Sequence, residues 1–345
     1  MKFGIGMFGD TGFDESLQAY RNPKFRLQEL IEEVKFADAL GIDVAVIGEH
    51  HREDYSVSSP EILLAAMASV TNKIHLSSGV NVLSSADPVK LFQDYVQIDL
   101  ISNNRAELMA GRGSFIESFP LFGQNLKDYN ELFVEKLDLL LKLRRAEPLN
   151  WTGKFRPALV NQVVYPKPNR VLPVWIAVGG TPESVQRAAH LGLPIIFAII
   201  GGSPSQFLHL IEYYKEEYRF AGHNPAEMEI GIHVHTYIAD SKEKVLEEYY
   251  PIYARQMDKI GKERGWSGAY SRSQFETGMS QHGALFMGSS QDVAEKITQT
   301  AKQFGLTRFI AHIDVGGPSH FNQMQTIERF ASEVIPQVKS ALNLN

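Results

Sequence analysis

The sequence predicts a single closed α/β barrel, and three observations carry that reading. Short β-rich runs alternate with longer amphipathic stretches, many of those stretches open on proline and close before glycine, and glycine-rich segments fall at strand ends. In order, strands are expected at Phe3–Phe8, Val44–Gly48, Ile74–Val80, Ala106–Ala110, Val174–Val178, Ile195–Ile199, Ile230–Ile238 and Phe309–Val315. The helices between them are Phe25–Leu40 ending at Gly41, Pro60–Val70, Pro88–Ile101, Leu132–Leu143, Pro182–Leu191 before Gly192, Pro204–Ala221 before Gly222, Lys242–Ile260, and Gln291–Phe304 before Gly305. Ser59, Asp87, Thr181 and Ser203 stand where N-caps would, each just ahead of a proline in the first turn.

Strict alternation favours a TIM barrel over an open doubly wound sheet, which places the active site at the C-terminal ends of the strands. The whole chain, 1–345, is expected to form one domain with insertions near 144–170 and 261–288. The first, containing Trp151-Thr152-Gly153-Lys154-Phe155, reads as a surface excursion. The second, rich in Gly, Ser and aromatics, reads either as a lid over the site or as a disordered loop.

Composition narrows the function classes. Hydrophobic content of 44% and charged content of 21% are ordinary for a soluble globular protein. A net charge of -6 without a basic cluster gives no footprint for nucleic acid or an anionic membrane. With no cysteine there is no disulfide, thiolate metal site or cysteine nucleophile, so redox chemistry needs a bound cofactor. The run Met1–Phe8 is too short for a signal h-region, and no stretch approaches the ~20 apolar residues of a spanning helix, so a cytoplasmic protein is expected.

Four segments could carry chemistry. Gly111-Arg112-Gly113 closes strand four and sets a fixed cation beside bare amides, a concavity suited to phosphate. Val178-Gly179-Gly180-Thr181-Pro182-Glu183-Ser184 closes strand five and opens a helix, combining glycine amides, a hydroxyl and a positive helix end. Ser77-Ser78-Gly79-Val80-Asn81-Val82-Leu83 has a glycine inside a strand end, which marks either a close backbone approach or a plain strand terminus. Glu49-His50-His51 follows strand two, and because successive residues there point to opposite sides, one histidine faces the axis. His233-Val234-His235 and His312-Ile313-Asp314 support a rival reading as a metal-dependent hydrolase barrel, although no lysine or carboxylate ends a middle strand to bridge two ions.

Together these segments resemble the bacterial luciferase-like family of flavin-dependent monooxygenases, over nearly the full chain. The match is densest from Ile98-Asp99-Leu100-Ile101-Ser102-Asn103-Asn104-Arg105 through Gly113, with Asn103-Asn104 where glycines are common; both residue types tolerate positive φ. Ser114–Pro120 matches a subgroup of luciferase-like oxidoreductases. The resemblance implies that Gly111, Arg112, Gly113, Gly179, Gly180, Thr181 and Ser184 grip a phosphate and that Tyr129 reaches it. It further implies that Gly79 and Val80, sometimes joined by a cis bond, back the flavin ring, and that His50 sits at the reactive edge as general base or hydrogen-bond partner. A monophosphate-sized cradle without a dinucleotide fingerprint fits FMN better than NAD(P) or FAD. The implied activity is a two-component monooxygenase: reduced FMN from a separate flavin reductase, used with O2 on a small organic substrate. A deazaflavin coenzyme, a homodimer built on the Ile62–Met67 run, and a flavin-binding protein without turnover are further implications. Light emission is disfavoured, since Gly111 replaces the family's cysteine beside the flavin.

Overall fold

The computed structural model describes residues 1–113, 115–145 and 148–344. Eight parallel strands close on themselves: β1 Lys2–Met7, β2 Val44–Ile47, β3 His75–Ser78, β4 Ala106–Gly111, β5 Val174–Val178, β6 Ile195–Ile199, β7 Ile230–Ile238 and β8 Arg308–His312. Each pairs with its sequence neighbour, through registers such as Gly4 with Val44, Leu76 with Ala106, Leu108 with Val174 and Gly231 with Arg308, and Lys2 opposite Arg308 completes the ring. The strands are apolar nearly throughout because both faces are covered, one by the barrel's filling and the other by helices.

The outer layer comprises α1 Pro23–Ala39, α2 Pro60–Val70, α3 Pro88–Ile101, α4 Tyr129–Leu143, α5 Pro182–His190, α6 Leu208–Phe220, α7 Lys242–Glu248, α8 Tyr250–Arg264, α9 Arg272–Met279, α10 Ser290–Phe304 and α11 His320–Arg329. Asp87 caps α3 by accepting from the Val89 and Lys90 amides, whereas Ser59 and Thr181 make no side-chain cap. Arg105 is the keystone of the α2–β3–α3–β4 corner. Its buried guanidinium donates to the carbonyls of Ala68, Thr71, Ile74 and Ser102, all within 3.2 Å, and Asn103 and Asn104 make the preceding turn at φ of 57° and 66°.

Three boundaries differ from the sequence pattern. The stretch 242–260 is two helices, because Pro251 in the first turn of α8 has no amide to continue α7. Strand three stops at Ser78; a cis Gly79-Val80 bond follows, and Asn81 and Val82 resume pairing opposite Ala110 and Gly111. Strand eight stops at His312, after which α11 and a last helix, Ile335–Ala341, continue the chain.

Both insertions are folded. Leu149–Trp151 and Leu159–Gln162 form a hairpin held on α4 by Trp151 Nε1, which donates to Asp138 at 2.9 Å. In the second, a capping box on Ser271 starts α9, and Phe286–Gly288 adds to β7 opposite Thr236–Ile238. Phe275, Met279 and Leu285 pack with Tyr237, Tyr249 and Tyr253 in a cluster of their own, so this segment is an ordered wall on one side of the mouth.

The barrel is filled in tiers. At the N-terminal end Arg308 of β8 crosses the axis to Glu107 of β4, bonding both carboxylate oxygens at 2.6 and 3.2 Å, with its guanidinium 3.8 Å above the Trp175 ring. Above it lie Val44, Val46, Met109, Ile196 and Ile310. The next tier is polar and forms the floor of the site.

Candidate active site

The first half of the site is built where β4 and β5 end. Arg112 leaves β4 with one arm on Asn130 Oδ1 at 2.6 Å and the other on Thr181 Oγ1 at 3.0 Å, and its guanidinium lies 5.2 Å from the Tyr129 ring centre. Tyr129 itself donates to the Gly113 carbonyl at 3.2 Å, so its hydroxyl locks the loop and its ring serves as a platform rather than reaching outward. Thr181 precedes α5 without capping it, leaving the helix end open beside Gly179 and Gly180, and Ser184 is buried on its first turn. A Cβ added at Gly179 would meet nothing within 4 Å, and one at Gly180 only the Phe207 ring at 4.0 Å, so these glycines border open space. Gly180 also takes φ of 123°, which L side chains avoid.

The second half is a close-packed shelf. A Cβ at Gly79 would lie 2.0 Å from Val46 Cγ1, and one at Gly111 would lie 2.6 Å from Val80 Cγ2. Gly111 and Val80 are therefore complementary in shape, which explains a glycine where a cysteine would otherwise fit. Asn81 anchors the shelf from below: its amide group donates to Glu61 and Glu49, and its carbonyl oxygen accepts from Tyr95 at 2.7 Å. Glu49 also accepts from the Val82 amide at 2.9 Å and faces His51 Nε2 at 3.0 Å, so the segment after β2 is tied to the one after β3.

His50 is the histidine turned inward. Its ring packs against Phe8, Tyr55 and Phe115, with centroids 5.1, 4.2 and 5.2 Å away, and its shielded Nε2 has no partner among the described residues. Burial, reinforced by nearby His312, pushes its pKa down to about 3. The imidazole is thus neutral throughout the physiological range, and an NMR titration of His50 should show no protonation between pH 8 and 5; a midpoint near 6.5 would contradict the packing described here.

Of the β7 and β8 histidines, His235 and His312 have polar partners, whereas the buried Nε2 of His233 has none among the described residues. His235 Nδ1 faces the Tyr253 hydroxyl at 2.8 Å, His312 Nε2 faces Asp314 at 3.1 Å, and the Phe8 ring sits among His50, His233 and His312. Asp10, His312 and Asp314 bring donor atoms within 4.8 Å of one another. Asp314, however, already accepts from the amides of Phe8 and Gly9 and lies 3.4 Å from Arg26, a cation that occupies the role a metal would have. Burial and the neighbouring Asp314 raise the Asp10 pKa well above the carboxylate range. Asp314, against its own burial, is lowered to about 2 by His312 and Arg26. The two carboxyls are thus pushed in opposite directions, with Arg26 as the cation beside Asp314.

Over the mouth, Arg52 joins three segments, bonding Glu117 at 2.6 Å, Glu263 of α8 at 2.5 Å and Asp54 at 3.3 Å while stacking on Phe115 at 4.4 Å. The sequence reading missed the roles of Arg52, Asn81 and Asp10, because nearly all their partners lie 14 to 306 positions away along the chain. Arg187 was also missed, although its helical spacing of three from Ser184 puts both on one face of α5.

Comparison with known proteins agrees with this architecture. The "Uncharacterized protein y4vJ" of Sinorhizobium fredii is 30% identical over 170 residues, a match spanning 48% of each chain, so the chain covers about half the length of that relative. Two solved structures share the fold. The FMN complex of the oxygenating constituent of 3,6-diketocamphane monooxygenase from Pseudomonas putida gives a TM-score of 0.75 at 20% identity, covering 97% of this chain and 98% of that one. The coenzyme F420-dependent tetrahydromethanopterin reductase of Methanopyrus kandleri gives 0.75 at 18%, covering 98% and 99%. The family model of luciferase-like monooxygenases matches residues 1–308, and with its eight-stranded barrel and strand-end site the chain belongs to that family.

Proposed function

We propose that the protein is an FMN-dependent monooxygenase that uses reduced flavin and O2 on a small organic substrate. The observation that carries this is the unmet positive charge beside the open glycines. Among the described residues Arg112 bonds the neutral acceptors Asn130 and Thr181, next to an uncapped helix end and two glycines bordering free space. That is the donor set a phosphate monoester needs, so the residues fit FMN. Arg112, Gly179, Gly180, Thr181 and Ser184 would hold the phosphate, with Gly113 shaping the loop, and Gly79, Val80 and Gly111 would back the ring.

Bound there, reduced FMN would supply the electrons that place one atom of O2 on the substrate and release the other as water. Around it, the chain's own residues exclude water and hold protons. Phe8, Tyr55 and Phe115 dry the surroundings of His50, whose unpartnered Nε2 is free to accept a hydrogen bond at the reacting edge; burial holds its pKa too low for it to serve as the general base the resemblance also offered. The absence of a nicotinamide fingerprint supports a separate reductase as electron source. Within the Ile62–Met67 run, Leu63, Leu64 and Met67 are buried against the chain's own barrel, while Ile62 is 75% exposed and supports a homodimer face. Among the described residues no helix is long and apolar enough to cross a membrane.

The test is equilibrium binding of oxidised and reduced FMN to the wild type and to Arg112→Ala. Micromolar binding that weakens about tenfold or more in the variant, ~1.4 kcal/mol, is the expected result. Absence of binding in both redox states overturns the proposal and directs attention to the deazaflavin coenzyme.

A further inference from the structure

Tyr129 and Phe133 stand one turn apart on α4, so their rings are neighbours on one helix face. Each carries a guanidinium: Arg112 lies 5.2 Å from the first ring centre and Arg187 lies 5.8 Å from the second. Arg112 comes from the end of β4 and Arg187 from α5, one turn beyond Ser184, so two independent elements deliver like charges to the same short stretch of α4. Among the described residues neither guanidinium has a carboxylate within ion-pair distance. Glu183, one turn earlier on α5, is felt by Arg187 only at longer range, and the mutual repulsion with Arg112 adds to burial in disfavouring the Arg187 charge. Two half-buried cations side by side without an anion form an arrangement that lacks its counter-charge. Open space beside Gly179 and Gly180 adjoins it.

We propose that Arg187 and Arg112 together form a two-cation seat for a dianionic phosphate monoester, and that this pairing selects FMN over cofactors whose phosphate is a diester. The inference rests on the FMN reading above and names a residue and a selectivity that reading lacks. A phosphate monoester carries about −1.5 to −2 charges at pH 7 and can compensate both guanidiniums. A diester carries one negative charge and leaves one arginine uncompensated. Arg187 presents a forked donor pair where a lysine would present a point charge, so most of the effect is electrostatic and a lysine should retain part of it.

The test compares oxidised FMN, riboflavin and the monomethyl ester of FMN binding to the wild type, Arg187→Gln and Arg187→Lys, read by flavin fluorescence, with circular dichroism confirming the fold. The expected result is that Arg187→Gln binds FMN about tenfold more weakly, binds riboflavin within about twofold of wild type, and loses most of the preference for FMN over its methyl ester, with Arg187→Lys intermediate. Unchanged FMN affinity in Arg187→Gln, or equal losses for FMN and riboflavin, overturns the two-cation seat while leaving the FMN reading intact. A wild type that binds riboflavin as tightly as FMN overturns both.

Discussion

Replacing Arg308 with methionine should destabilise the barrel by about 3–5 kcal/mol, the range for breaking a buried ion pair by removing one partner. Arg308 and Glu107 are 1% and 3% exposed, and Glu107 would be left in the barrel interior with only His75, 3.2 Å away, for a partner. The pH dependence gives this prediction a signature that cavity formation alone would not. In the wild type, burial would raise the Glu107 pKa, but Arg308 and His75 outweigh it and hold the carboxyl well below its usual range. A depressed carboxylate contributes stability that is present above the unfolded pKa of ~4.3 and is lost as pH falls toward the folded value. Without Arg308 burial dominates, the pKa rises above ~4.3, and the variant loses stability as pH increases through that window. Thermal midpoints of the two proteins should therefore diverge between pH 4 and 7, with the gap widest at neutral pH. A gap independent of pH would show that the arginine acts by packing on Trp175 rather than by charge.

Gly111→Cys should weaken FMN binding by about 1–3 kcal/mol, the usual size of an overpacking penalty, here directed at the shelf rather than the deep core. The new Cβ would approach Val80 Cγ2 to 2.6 Å, closer than real contacts allow, and Val80 must move because Gly111 is fixed in the β4 ladder opposite Val82. Adding Val80→Ala removes both Cγ methyls but leaves the Val80 Cβ 2.9 Å from the new Cβ, so the double variant should recover part of the lost affinity. A double-mutant cycle on FMN dissociation constants measures this directly. Additive losses would mean that the two residues do not share the space assigned to them.

The fold was legible because the barrel obeys local rules. Most of the eight strands are short apolar runs, and the prolines at 60, 88 and 182 open helices where fixed φ and a missing amide do no harm. The strand-end placement of Gly111, Arg112, Gly113, Gly179, Gly180 and Thr181 was also legible, and the structure brings Arg112 and Thr181 into direct contact. What local rules do not encode is fit across the barrel. The Gly111–Val80 complementarity, the fall of the His50 pKa by burial among three rings, and the engagement of His235 with Tyr253 arise from packing between distant segments. For the same reason the second insertion read equally well as lid or loop: its order comes from three tyrosines of β7 and α7–α8, invisible to a pattern read one element at a time.

The Arg52 junction bears on how the mouth exchanges its contents. One guanidinium, 10% exposed as a side chain, is shared by acceptors that follow β2, follow β4 and sit in α8. Each acceptor holds a different nitrogen of that guanidinium, so either outer segment can release its own arm while the arginine stays bound to the rest. The acceptors Glu117 and Glu263 are a third or more exposed, so dissolved ions compete for them. Salt should therefore weaken the two outer arms of the junction first, while Asp54, buried beneath, keeps its hold on the arginine.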